Sequence, residues 1–235
     1  IGISRQGKTM VNPAMDTVIQ AGDQFIAIAE DDDKVIYTGT REDIESIQVV
    51  AKQRDADKAE SLLIIGWSSM GRAVLTELSE FLPAGSKVKI VAQTRYVDPA
   101  ELENLVFGSI EVSFVPISGD IDDLIAIAKD QHYDEVIVLG YRTVISESEA
   151  DAQTMLTMLQ MNQLFVTEGN GVEPTRLVAE ILDSRKTELA RVAAVDDLVV
   201  SDSLAALIIA QISENPNLAP VFEDLFDAEG ATLNV

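Results

Sequence analysis

The sequence predicts an α/β protein: a Rossmann-like, doubly wound parallel sheet with C-terminal crossover helices, preceded by a small β-rich fragment. Three observations carry that prediction. From Ser61 onward, short apolar runs alternate with helix-length segments, the pattern of βαβ units with parallel strands. The first run, Leu62 to Ile65, contains no polar residue, as a strand buried on both faces requires. It leads into a glycine-bracketed turn, Gly66-Trp67-Ser68-Ser69-Met70-Gly71, placed where a nucleotide-binding fold carries its phosphate loop.

Residues 1–40 do not read as the start of a domain. Asn12-Pro13 and Ala21-Gly22-Asp23 are turn signals, and Thr17 to Ile19 and Phe25 to Ile28 have strand character. Together they predict a β-hairpin that needs a partner surface. Glu30 to Asp33 places four carboxylates in a row. The run fails as an EF-hand loop, because counting from Asp31 puts Ile36 where the loop needs glycine. A solvated turn is the simpler reading. Residues 41–60 are charged, lack Gly and Pro, and read as a linker.

After the opening strand, a helix is expected from about Met70 to Leu82, stopped by Pro83-Ala84-Gly85. Lys87 to Gln93 is the second strand. Asp98-Pro99 caps a short helix through about Phe107, with proline at its first position. Ile110 to Pro116 is the third strand, and Ser118-Gly119-Asp120 opens a helix carrying Leu124, Ile125, Ile127 and Ala128 on its apolar face. Asp134 to Gly140 is the fourth strand. A long helix follows from about Ala150 to Phe165, with Met155, Leu156, Met158, Leu159 and Met161 as core filler. Thr175 to Leu182 is the fifth strand, Ser184 to Val192 a helix, and Leu198 to Val200 the sixth strand. Ser201-Asp202 caps an apolar helix over 204–212, Asn215-Pro216-Asn217 breaks it, and Ala219 to Phe226 forms a last short helix. The 204–212 helix is apolar on nearly all sides, more than one packing face requires. Either it lies in the crossover of a swapped dimer or another segment covers it, and both point to assembly.

Composition limits the function. The chain has 235 residues, a net charge of -23 and a pI near 4.2, which argues against a nucleic-acid partner, since phosphate binding needs clustered Lys and Arg. Residues 118–235 hold 6 basic and 22 acidic side chains, against 4 and 6 in residues 61–117. That half is either a solvated surface or a cation-attracting one. The absence of Cys excludes disulfides, thiolate metal sites and a Cys nucleophile. No apolar run is long enough to span a membrane. The chain opens on Ile1 rather than Met and reads as a fragment of a longer protein.

The opening turn aligns with G-x-G-x-x-G through Gly66 and Gly71, but Ser68 stands where the middle glycine admits the pyrophosphate. The second strand ends Gln93-Thr94-Arg95, without the acid that holds a ribose; Gln93 can accept a weak ribose hydrogen bond and Arg95 can meet a phosphate. The candidate cofactor-binding residues are therefore Gly66, Trp67, Ser68, Ser69, Gly71 and Gln93, on a fold whose nucleotide is lost or altered. Catalysis has little support. The one histidine, His132, falls at a helix-to-strand connection, away from the strand C-termini where ligands bind, and no catalytic residue is assigned. Two acidic groups lie after the third and fourth strands: Asp120, Asp122 and Asp123, then Glu147, Glu149 and Asp151. They read either as hard-cation ligands, with Ca2+ the candidate, or as helix caps and first-turn acids.

Three stretches resemble the CASTOR/POLLUX-type ion channels. Gly22-Asp23-Gln24-Phe25-Ile26-Ala27-Ile28-Ala29-Glu30-Asp31-Asp32-Asp33 is similar to that family's G-D-x-[hydrophobic]-x-x-I-A-E-D-D-D segment. Ile64-Ile65-Gly66-Trp67 resembles its strand-Gly-Trp turn, although the family usually continues with Arg where this chain has Ser68. Ser213-Glu214-Asn215, with Val221 to Phe226 and Glu229-Gly230, resembles its ending. The resemblance implies a cytosolic region of RCK type (regulator of K+ conductance, TrkA-N-like). Such domains are Rossmann-like, pair through helices after the main sheet and form a tetrameric gating ring. Residues 1–40 would be the C-terminal lobe of one RCK unit, 41–60 a linker, and 61–235 the core of a second. The implied function is a non-enzymatic ligand- or ion-sensing gating module of a potassium or related cation channel or transporter, on the cytoplasmic face of a membrane. Its pore domain would lie upstream in the same chain or in a separate subunit. The competing expectations are an NAD(P)-binding oxidoreductase and a soluble small-molecule-binding subunit.

Overall fold

The computed structural model describes residues 2–14, 16–28, 58–103, 105–168, 175–191 and 197–227. The carboxylate run at 30–33 and most of the 41–60 linker lie outside the described residues. The chain divides into two compact units, Ala56–Leu207 and a second made of Ile1–Asp55 with Ile208–Val235.

The larger unit is a parallel six-stranded sheet, α/β and Rossmann-like as the alternation predicts. Its elements are β4 (Ser61–Ile65), α1 (Ser69–Phe81), β5 (Lys87–Gln93), β6 (Glu111–Ile117), α2 (Ile121–Ala128), β7 (Glu135–Val138), α3 (Glu147–Glu168), β8 (Arg176–Ile181), α4 (Thr187–Arg191), β9 (Asp197–Val200) and the start of α5 (Ser201–Glu214). The order β6-β5-β4-β7-β8-β9 is that of a doubly wound nucleotide-binding fold, with the direction of winding reversing between β4 and β7.

The apolar run in β4 has a direct structural cause. Leu62 and Ile64 face one layer, with Leu75 of α1 and Val88 and Ile90 of β5. Leu63 and Ile65 face the other, with Leu124 of α2 and Met158 and Met161 of α3. All four are 5% exposed or less, and burying each such side chain stabilises the fold by about 1.5–3 kcal/mol. A polar residue anywhere in this run would be buried without a partner.

Some element boundaries and faces differ from expectation. The helix expected over 98–107 is a single 3-10 turn, Pro99–Glu101. Asp98 and Pro99 start it as expected, but Phe107 and Ile110 form an isolated bridge around Gly108, and Leu102 and Ile110 are drawn into the core beside α1. The long helix starts a turn early, at Glu147, because the Ser146 side chain accepts from Glu149 N at 3.3 Å and caps it. Along α3, Met158 and Met161 are fully buried while Leu156 and Leu159 are exposed, so the apolar run serves as core on one face only.

In the second unit, β1 (Gly2–Arg5), β2 (Lys8–Val11) and β3 (Gln24–Ile26) form an antiparallel sheet in the order β2-β1-β3. The expected strand at Thr17 to Ile19 is absent; those residues belong to a loop. The hairpin lies earlier, at β1–β2, closed by Gln6 and Gly7 at φ 51° and 78°. Paired positive φ values are the signature of a type I′ turn, and Gln-Gly is a weaker signal for it than Asn-Gly. Arg5 then clips the Asn12 to Asp23 loop. Its Nε and Nη2 donate to Asp23 at 2.8 and 2.7 Å, and Nη2 also donates to Val18 O at 2.9 Å. This pairing gives Asp23, part of the Gly-Asp motif singled out in the sequence, a structural task. Arg5 and the Gln20 amide hold its carboxyl at about 2. Within the same unit α6 (Ala219–Phe226) lies against β2.

Candidate functional site

The C-terminal edge of the parallel sheet is where a fold of this order binds ligands, and it contains two strand-glycine-helix turns. The first joins β4 to α1. Gly66 sits at φ +87°, and a Cβ there would come within 2.1 Å of Leu139 O on the neighbouring β7 connection. Gly71 has a different constraint: a Cβ on it would meet the Trp67 ring at 2.5 Å. Trp67 itself is buried in the core layer of Leu62, Ile64 and Leu75. Ser68 is buried, and its hydroxyl accepts from Met70 N as the cap of α1. Both retained glycines are thus required by contacts within the protein, while the glycine whose role is to admit a pyrophosphate is replaced by a capping serine.

The winding reversal beside this turn is also filled. Tyr141, 6% exposed, reaches across so that its hydroxyl accepts from Gln93 N at 2.9 Å. Burial pushes that hydroxyl above its ordinary pKa, so it remains protonated. The void left between Gly66, Leu139, Tyr141 and Gln153 is about 30 Å³, room for about two waters but not for a pyrophosphate. That void has no room for a pyrophosphate, and Gln93 also lines a larger space.

That space lies outside the second turn, between β6 and α2. It is a cleft of about 180 Å³ lined by Gln93, Arg95, Gly119, Asp120, Gln153 and Gln160 among others. Arg95 is held on two sides: its Nε donates to Gln93 Oε1 at 2.7 Å, and its guanidinium lies 4.4 Å from the centre of the Tyr96 ring. Tyr96 packs on Tyr141 with ring centres 4.7 Å apart and accepts from Gln153 Nε2 at 2.9 Å. Gln153 Oε1 is buried without a hydrogen-bond partner. Gln93 and Arg95 are identifiable in the sequence from their place after the second strand. Tyr141 and Gln153 are not, because they lie 48 and 60 residues further along the chain and meet Gln93 only in the folded sheet.

The two acidic groups are engaged separately. Asp120 caps α2, its carboxylate accepting from Asp122 N at 3.0 Å, with Asp122 and Asp123 exposed in the first turn. Glu147 and Glu149 are exposed in the first turn of α3. Asp151 is fully buried and accepts from Leu182 N at 2.8 Å, Asp183 N at 3.2 Å and Lys186 Nζ at 3.0 Å, tying α3 to the end of β8. Among the described residues, no three acidic or histidine side chains are grouped to hold one ion. His132 lies 3.7 Å from Asp134 at the opposite edge of the sheet, as its position in the sequence indicates.

One polar network has no counterpart among the sequence motifs. Glu180, in the middle of the apolar β8, accepts from Arg142 Nη2, from Arg142 Nε at 3.1 Å and from Ser201 Oγ at 2.8 Å. Its signal in the sequence is the carboxylate itself, since an acid inside a buried strand requires a partner. The network joins the connection after β7 to the first residue of α5.

No protein-family profile matches the chain. Several curated proteins do. They include the "Probable ion channel POLLUX" of Oryza sativa subsp. japonica, 23% identical over 97% of this chain and 27% of its own length. The "Probable ion channel CASTOR" of the same plant is 24% identical over 97% of this chain and 29% of its own. The "Ion channel POLLUX" of Lotus japonicus is 24% identical over 95% and 28%. The chain spans less than a third of the length of these relatives. Among the described residues, no helix is long and apolar enough to cross a membrane. Over nearly its whole length, this chain is a distant relative of the CASTOR/POLLUX-type ion channels.

Proposed function

We propose that this chain is a non-enzymatic regulatory module of a cation channel of potassium-channel type, working on the cytoplasmic face of a membrane. In this reading it is built from RCK-type units that pair with one another in a gating ring. A ligand or ion bound at the C-terminal edge of the sheet shifts that pairing and so biases a pore carried upstream or by a separate subunit. The observation that carries the reading is sequence similarity over 95–97% of the chain to proteins named as ion channels. Leu204 and Leu207 of α5 are exposed apolar side chains, which supports a pairing role for this helix. Energy for gating must come from unequal ligand affinity for two arrangements of the ring, since a ligand that binds both equally shifts nothing.

The alternative, an NAD(P)-dependent oxidoreductase, has the sheet order in its favour. Against it stand the capping role of Ser68, the contact of Trp67 with Gly71 and the filled space at the winding reversal. Planar-bilayer recording of the full-length protein tests the choice, with Ca2+, NADH, ATP and amino acids added in turn to the cytoplasmic side. A cation conductance whose open probability responds to one of them is expected. No conductance, or turnover of NADH with a substrate, would overturn the proposal.

A further inference from the structure

The outer cleft has a chemistry that narrows its ligand, and the identity of that ligand rests on the sensing role proposed for the sheet edge. Arg95 makes no ion pair among the described residues, although the chain carries a net charge of -23. Its guanidinium is nevertheless fixed, by Gln93 Oε1 on one side and the Tyr96 ring on the other. An arginine oriented in advance and left without a carboxylate is placed for an anionic group from outside, which it can meet through two parallel N–H groups. The same Gln93 oxygen lies against Gly119, where a Cβ would approach within 2.9 Å, so the Arg95 side chain and the Gly119-Asp120 turn share one anchor.

The rest of the lining calls for the opposite charge. Asp120 makes no ion pair among the described residues and uses its carboxylate only to cap α2. Gln153 Oε1, buried and unpartnered, is an acceptor without a donor. A simple dianion would satisfy Arg95 and be repelled by Asp120; a simple cation would do the reverse. At about 180 Å³ the cleft is smaller than the roughly 300–1,000 Å³ of pockets that enclose drug-sized ligands. Gln93 and Gln153 line both this cleft and the 30 Å³ void.

We propose that the cleft binds a small zwitterion of amino-acid type, its carboxylate on Arg95 and its ammonium on Asp120. Calorimetry of the 235-residue chain tests this, with glycine, serine and glutamate as probes and propionate, ethylamine, NADH, ATP and Ca2+ as comparisons. Saturable heat from at least one amino acid is expected, with propionate and ethylamine at least about tenfold weaker, the loss of one charge-assisted contact. R95Q and D120N should each weaken binding by about tenfold. Neither should move the melting temperature, since Asn caps a helix as well as Asp does. Amino-acid binding unchanged in both variants would overturn the assignment. Binding of NADH, ATP or Ca2+ with no heat from any amino acid would overturn the zwitterion and leave the sensing role standing. No heat from any probe would overturn both.

Discussion

The two strand-glycine-helix turns at the sheet edge look alike in sequence and differ in what surrounds them. Gly66 before α1 and Gly119 before α2 both hold positive φ, +87° and +105°, and both helices start on a side-chain cap, Ser68 and Asp120. A side chain at Gly66 would strike a backbone carbonyl of the adjacent strand connection, which cannot yield. One at Gly119 would strike the end of Gln93, which can. The first turn is part of the core and the second borders a cleft. Similar local geometry therefore carries different meaning: in one place glycine yields to a fixed backbone carbonyl, in the other to the end of a side chain beside a cleft.

The contrast can be broken most directly by substitution. Gly66→Ala is expected to cost about 4 kcal/mol or more, since it combines positive φ with a 2.1 Å approach to Leu139 O. Gly119→Ala should cost about 1–2 kcal/mol, mainly from backbone strain. Urea unfolding of the two variants side by side measures the difference, and equal losses would show that the turns are equivalent after all.

Trp67→Ala is expected to cost about 3–5 kcal/mol by opening a cavity over Gly71. Trp67 is the only tryptophan and is 6% exposed, so its fluorescence reports on the first turn alone. Ligand binding in the outer cleft should leave its emission maximum in place; a large shift would mean that the first turn opens.

Asp151 and Asp120 extend the comparison to the acidic residues. Asp151→Ala leaves Lys186 and two backbone amides without their shared acceptor and should cost about 3 kcal/mol in the same unfolding assay. Asp120→Asn should be near neutral, because the cap survives.

The smallest effect is in the other unit and depends on pH. Asp23 is held at about 2 by Arg5, below the ordinary value of about 3.9, so the folded state binds fewer protons than the unfolded one. Its contribution is complete above about pH 4 and fades as pH falls towards 2. Asp183 is also held at about 2 and titrates over the same range. The informative measurement is therefore the difference in melting temperature between the wild type and Arg5→Gln from pH 5 to pH 2. The difference should narrow with acid, and a constant gap would mean that the clip does not persist in solution.

Much of the sheet is legible in the sequence because its signals are local. An all-apolar run such as 62–65 has few alternatives to a buried strand, and Asp98-Pro99, Asn215-Pro216 and Asp120 mark helix starts within a few residues. Expectation and structure part where a local signal competes with packing. The Asp98 helix stops after one turn because Leu102 and Ile110 find more burial in the core than along a helix. The β1–β2 hairpin is hard to see because Gln6-Gly7 is an uncommon pair for a tight turn. The task of Glu180 is hidden because its partners, Arg142 and Ser201, come from other strand connections.

The sequence alone determined the class of fold, the order of elements in the larger unit and the likeness to ion channels. It also marked the opening turn as altered, since Ser68 breaks the glycine pattern. Only the tertiary structure decided what that alteration means. Gly66 answers to Leu139, Gly71 to Trp67, and Gln93 to Tyr141, contacts between residues as far as 73 positions apart. A motif records which backbone conformations a turn needs; whether the space beside it is open or filled depends on side chains that the sheet brings from elsewhere.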